Sequence, residues 1–227
     1  MTDTHPNAAS AAHTHAYILL DRTGSMGSIW AEALGSVNAY VEALTKPADG
    51  AKPSEDDKVT LAVFDHHAGL QFDVLRRSVT AAGWKKVTDA EASPRGMTPL
   101  FDSIARIVAL AEEDQPARAV IVVMTDGQEN ASKEVTKDGA RAALDRARAK
   151  GWEVIFLGAE FGKFSDAEAV GVGGSKSMAM SAGNFDASMR KLASKSRKYF
   201  EAAESVDFDA EDRKESGEDD VKRRKGS

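Results

Sequence analysis

The chain has 227 residues, a formal net charge of -6, 42% hydrophobic residues and no cysteine. That length suits one sizeable domain with tails, and the missing thiols exclude a disulfide framework, a thiolate metal site and a cysteine nucleophile. The acidic balance argues against broad nucleic-acid binding, and no apolar run approaches the ~18 residues of a membrane span.

No basic patch followed by an apolar leader opens the chain, so a cytoplasmic protein is expected. Residues 1–15 are small and polar, with His5, His13 and His15, and read as an unstructured tail. Ala16–Leu20 is apolar, short enough for a buried strand, and stops at Asp21. Gly24 permits a sharp turn, after which Met26, Ile29, Trp30, Ala33, Leu34, Val37, Val41 and Leu44 recur at helical spacing. Pro47–Asp57 is a loop by composition. Val59–Phe64 and Leu70–Leu75, joined by Asp65–Gly69, read as an antiparallel hairpin.

A polar connection leads through Trp84 to Gly96-Met97-Thr98-Pro99-Leu100. Thr98 followed by Pro99 predicts a hydroxyl N-cap with proline in the first helical position. Leu100, Ile104, Ile107, Val108 and Ala111 give that helix its buried face. Ala119–Met124 has no polar face, so it belongs to a central strand covered on both sides, and it runs into Thr125-Asp126-Gly127. A charged helix over Glu134–Lys150, a strand over Glu153–Leu157 and a short helix over Asp166–Val170 follow. An edge strand over Ser175–Met180 and a last helix over Asn184–Ala203 complete a domain spanning 16–204. Residues 205–227 mix acids and bases with few apolar residues, and read as a disordered tail.

Alternating strands and helices predict an α/β fold: a doubly wound, mostly parallel, Rossmann-like sheet with one antiparallel edge hairpin strand and helices on both faces. Sites in such sheets lie beyond the carboxyl ends of the strands, where the winding reverses. Two strands here end at an aspartate. If they flank the reversal, Asp21 and Asp126 converge and the Thr98 loop closes over them. Asp21, Thr23 and Ser25 supply one charged and two neutral oxygens, a hard set that suits Mg²⁺ better than Zn²⁺.

Asp21-x-Thr23-x-Ser25, then Thr98 in Gly96-Met97-Thr98-Pro99-Leu100, then Asp126-Gly127, in that order, resembles the von Willebrand factor type A family. The resemblance implies a metal-ion-dependent adhesion site with Asp21, Thr23, Ser25, Thr98 and Asp126 as metal-binding residues. It implies Mg²⁺, with Mn²⁺ or Ca²⁺ in its place, and a sixth position completed by an Asp or Glu of a protein partner. An AAA+ ATPase system is among the partners that intracellular bacterial relatives suggest. The expected function is thus a binding module that is not an enzyme and engages neither nucleic acid nor membrane. The family's usual first serine is Thr23 here, which keeps the hydroxyl and adds a methyl.

Plainer readings exist for each motif. Ser25 and Thr98 suit helix caps, and Asp126-Gly127 is an ordinary turn. The strand into Asp21 also resembles a haloacid dehalogenase-like phosphohydrolase with Asp21 as nucleophile. Against that reading, Ser25 stands where threonine is usual, no lysine opens a suitable helix, and no second acid closely follows Asp126. His66-His67 reads as a solvated hairpin tip. Gly158–Lys163 is one residue short of a phosphate-binding loop. The basic Lys222–Lys225 cluster is diluted by Glu218, Asp219 and Asp220.

Overall fold

The computed structural model describes residues 13–46, 57–161 and 164–225. Residues 1–12 of the expected tail, most of the 47–57 loop, and Gly162 and Lys163 of the 158–163 segment lie outside the described residues.

Six strands, β1 (Thr14–Asp21), β2 (Lys58–His66), β3 (Leu70–Thr80), β4 (Arg118–Thr125), β5 (Glu153–Ala159) and β6 (Ser177–Met180), form one sheet in the order β3-β2-β1-β4-β5-β6. Every neighbouring pair is parallel except β2 and β3, which form an antiparallel hairpin at one edge. The sheet grows from β1 toward β2 in one direction and from β4 toward β6 in the other. The winding therefore reverses between β1 and β4, where Leu20 pairs with Met124.

Side-chain alternation splits the core into two layers. Ile18 and Leu20 of β1, with Val120, Val122 and Met124 of β4, pack toward α1 (Trp30–Leu44) and α5 (Phe185–Ala202). Tyr17, Leu19, Ile121 and Val123 pack on the opposite face toward α2 (Leu100–Asp114) and α3 (Lys137–Ala149). The short α4 (Ser165–Ala169) follows β5 and adds Ala167 to the second layer. α1 and α5 are also joined by a buried hydrogen bond from the Tyr40 hydroxyl to Ser196 Oγ at 2.9 Å.

The structure corrects the expectations at both ends. β1 starts at Thr14, because parallel pairing continues outward through His15 opposite Lys58 and Ala119. His15 is wholly buried, stacks on Tyr17 at 3.9 Å and meets Thr60 Oγ1 at 2.9 Å. Burial pushes its imidazole down to about 3, so it is a neutral core residue and no part of a loose tail.

Residues 205–225 are likewise ordered, with α6 (Ala210–Glu215) and α7 (Glu218–Lys225). Val206, Phe208 and Val221 are buried, and Asp209 and Asp212 form a capping box at the start of α6. Three anchors spread over a strongly charged stretch leave its average composition that of a disordered tail, which is why composition misjudged it.

Candidate metal centre

Asp21 ends β1 and is wholly buried. Its Oδ1 accepts the Thr23 amide at 2.7 Å, and its Oδ2 accepts the Thr125 hydroxyl at 2.6 Å. Thr125, absent from the sequence-based site, is the last residue of β4; parallel pairing of Leu20 with Met124 brings the next positions, Asp21 and Thr125, together. Burial pushes the Asp21 carboxyl up to about 7, the charge of Asp126 adds to the shift, and the hydrogen bonds from Thr125 and Thr23 oppose it.

After Asp21 the chain makes a 3₁₀ turn over Gly24–Ser28 rather than entering a helix directly. Thr23 Oγ1 and Ser25 Oγ lie 3.2 Å apart, and Ser25 Oγ donates to Asp126 Oδ1 at 2.7 Å. Thr98 Oγ1 donates to Thr23 Oγ1 at 3.5 Å. All the residues expected at the site are thus linked: Asp21 through the Thr23 backbone, and the side chains of Thr98, Thr23, Ser25 and Asp126 in series.

Neither hydroxyl acts as the cap that helix-start rules suggest. α2 begins after Pro99, whose backbone (φ -87°, ψ 65°) takes the cap position without a side-chain bond. The exposed amides of α2 are satisfied from the β4–α3 loop, Phe101 by Glu129 Oε2 at 2.9 Å and Asp102 by Ser132 Oγ at 3.1 Å. Thr98 is fixed by its backbone, its amide donating to Asn130 Oδ1 and its carbonyl accepting the Asn130 amide. Ser25 lies a full turn before α1, which starts after Ile29 with no side-chain cap. At α2 tertiary partners have taken over the capping, and both hydroxyls remain at the site.

The loop delivering Thr98 is pinned on its other side. Gly24 donates to the Gly96 carbonyl, Arg95 to that of Arg22, and His66 and Met97 exchange backbone hydrogen bonds. Gly96 has φ +70°, and a Cβ there would lie 2.4 Å from the His66 carbonyl oxygen, so only glycine fits. Below the loop, the fully buried Asp65 Oδ2 accepts Arg22 Nε at 2.9 Å and Arg95 Nε at 2.8 Å, while Arg22 also reaches Asp73 at 2.5 Å.

The donor set is two carboxylates and three hydroxyls, all hard oxygens. Among the described residues no three His, Cys, Asp or Glu side chains cluster as a metal site, so nothing points to a soft or imidazole-bound ion. A buried carboxylate held by the hydroxyl of Thr125 and the Thr23 amide, with further hydroxyls beside it, fits an oxygen-loving divalent cation.

Comparison with known sequences decides the family. Residues 16–210 match the von Willebrand factor type A domain, most of the chain. The chain belongs to the von Willebrand factor type A domain family. The vWA match covers all six strands except Thr14 and His15 at the start of β1, and it takes in Asp21, Thr23, Ser25, Thr98, Thr125 and Asp126. No curated protein matches in sequence.

Solved vWA-like structures agree on the fold. The vWF domain of the type V pili tip protein Mfa5 from Porphyromonas gingivalis is 12% identical with a TM-score of 0.61, covering 88% of this chain and 100% of that one. The open conformation of the pilus adhesin SpaC from Lactobacillus rhamnosus GG is 11% identical with a TM-score of 0.66, and the match takes in 85% of this chain. It takes in only 31% of SpaC, so this chain corresponds to about a third of that adhesin. The PilB minor pilin from Streptococcus sanguinis is 13% identical with a TM-score of 0.51, over 86% of this chain and 63% of that one.

Proposed function

We propose that this vWA domain is a Mg²⁺-dependent protein-binding module, with Asp21, Thr23, Ser25, Thr98 and Asp126 holding the ion directly or through water. Mn²⁺ or Ca²⁺ would occupy the same oxygens. The observation that carries this reading is the hydrogen-bonded series from Asp21 through the Thr23 amide, and on through the Thr23 and Ser25 hydroxyls to Asp126 with Thr98 beside them, at the switch point of the sheet. Asp21, Thr23 and Thr98 are buried, whereas Ser25 is exposed and Asp126 half-buried, so the set opens to solvent on one side only.

Mg²⁺ prefers near-octahedral oxygen coordination and retains exchangeable waters. When bound here it would supply a Lewis-acidic position at that open side for a partner's Asp or Glu. The chain's own residues orient the site: Thr125 and the Thr23 amide hold the Asp21 carboxylate, and the Glu129 loop holds Thr98. Both Asp21 oxygens accept a hydrogen bond beneath the surface, and each keeps a second lone pair for a cation or a bridging water.

Affinity capture from the native host, with Mg²⁺ and again with chelator, tests this reading. A partner retained only with Mg²⁺, and lost with Asp21→Asn, is the expected result. Phosphate-ester turnover abolished by Asp21→Asn would instead establish an enzyme.

A further inference from the structure

A basic cluster, Lys222–Lys225, lies near the carboxyl end of the chain. It ends α7, which lies beyond the matched vWA residues. α7 is firmly seated: Val221 is fully buried, and Glu218 accepts the Ala179 amide of β6 at 3.1 Å and Arg213 Nη1 at 3.0 Å. Arg224 follows Val221 by one helical turn and is carried to the carboxyl end of the sheet.

There it lines an open pocket of about 390 Å³ together with Ser25 and Asp126 of the candidate metal centre, Ile29, Ala182 and Glu160. Arg224 Nε donates to the Asp220 carbonyl at 3.2 Å, and Nη2 to Glu160 Oε1 at 3.0 Å. A guanidinium has five donors in a planar fork, and among the described residues these contacts occupy two. Glu160 is also held by the Ala182 amide and so does not depend on Arg224 for its place. The Arg224 side chain is 52% exposed although Glu160 is largely buried, so the guanidinium keeps a solvent-facing side that a ligand can reach.

We propose that Arg224 is a specificity-determining anchor for a second carboxylate of the protein partner, so that the preferred ligand is a diacidic segment rather than a lone Asp or Glu. This rests on the metal-dependent binding reading above. One acid reaches the open side between Ser25 and Asp126, and the other crosses the same pocket to the guanidinium fork, which matches a carboxylate bidentately. Lys222 and Arg223 beside Arg224 are paired with Glu218 and Asp220 of the same helix, so Arg224 is the cation of this cluster that lines the pocket.

The test uses the full chain in Mg²⁺ and a panel of short Gly/Ser peptides. One peptide carries a single Asp, and the others carry a second Glu one, two, three or four residues further on. At one or more spacings the diacidic peptide is expected to bind at least fivefold tighter than the single-acid peptide. Arg224→Gln should cut that ratio below twofold, Arg224→Lys should leave it intermediate, and the distant Arg141→Gln should leave it intact. A panel with no gain from a second acid, or a gain that survives Arg224→Gln, overturns the inference while leaving the metal-dependent reading standing. No Mg²⁺-dependent binding of any peptide overturns both.

Discussion

Ser25 and Asp126, 101 positions apart in the chain, share a 2.7 Å hydrogen bond at the rim of the crevice between β1 and β4. The contact shows that Ser25 serves the crevice and not the helix that follows it. Ser25→Ala should therefore change the stability of the metal-free protein by less than ~0.5 kcal/mol, where loss of a helix cap costs about 1 kcal/mol. The same variant should weaken Mg²⁺ binding roughly tenfold, the scale of one lost hard-oxygen contact. Thermal unfolding in chelator and calorimetric titration separate the two effects.

Asp21 gives a pH dependence of defined sign. Its carboxyl sits at about 7 in the folded chain against an ordinary value of 3.8, so the folded state holds the proton more tightly than the unfolded one. That contribution to stability is complete below pH 4 and is lost as pH rises through 7. Asp21→Asn should be more stable than the parent at pH 8 in chelator, by a few kcal/mol, and the advantage should shrink toward pH 4. Mg²⁺ should stabilise the parent at pH 8, weakly at pH 6 where protons compete, and the Asn variant at neither. Urea unfolding across that range, with and without Mg²⁺, measures all of this.

The Gly96 turn predicts a variant that harms the crevice without touching a donor. Gly96→Ala places a methyl 2.4 Å from the His66 carbonyl oxygen at a positive φ, so the loop must shift and carry Thr98 with it. A loss of at least ~1 kcal/mol in stability is expected, with Mg²⁺ affinity reduced more than the same loss elsewhere in the chain would cause. Gly69→Ala, whose added Cβ meets nothing within 4 Å although its φ is also positive, is the matched control.

Beneath that loop, Asp65 compensates two guanidinium groups at once. Asp65→Asn leaves the buried Arg22 with only Asp73 for a counter-charge, and should destabilise the fold by about 3 kcal/mol. Arg95→Gln, whose side chain is 43% exposed, should cost less than ~1 kcal/mol. Chemical denaturation of the two variants provides the comparison.

Much of this architecture was legible in the residues. Apolar runs and helical patterns placed five strands and the long helices within a few positions, because runs such as Ala119–Met124 have one physical use. β3 instead runs on to Thr80, five residues past the expected Leu75, through the polar Arg76, Arg77 and Ser78. Strands ending at Asp21 and Asp126 pointed to the crevice, and the sheet order brings them to either side of its reversal. Local rules misread Thr98 because a hydroxyl before proline at a helix start is a cap unless something else satisfies the amides, and Glu129 and Ser132 come from a loop about 30 residues away. Thr125 was missed because its role depends on β1 lying beside β4, a pairing that no local pattern states. The same limitation hid α6 and α7, whose few apolar anchors matter only against β6 and α5.

The most direct test is calorimetric titration of Mg²⁺ into the parent chain, Thr98→Ala and Asp126→Ala, each checked for an unchanged fold by circular dichroism. One ion bound per parent chain, with binding abolished or greatly weakened in both folded variants, is the predicted outcome. Undiminished affinity in both would contradict a shared cation between the β1 and β4 ends of the sheet.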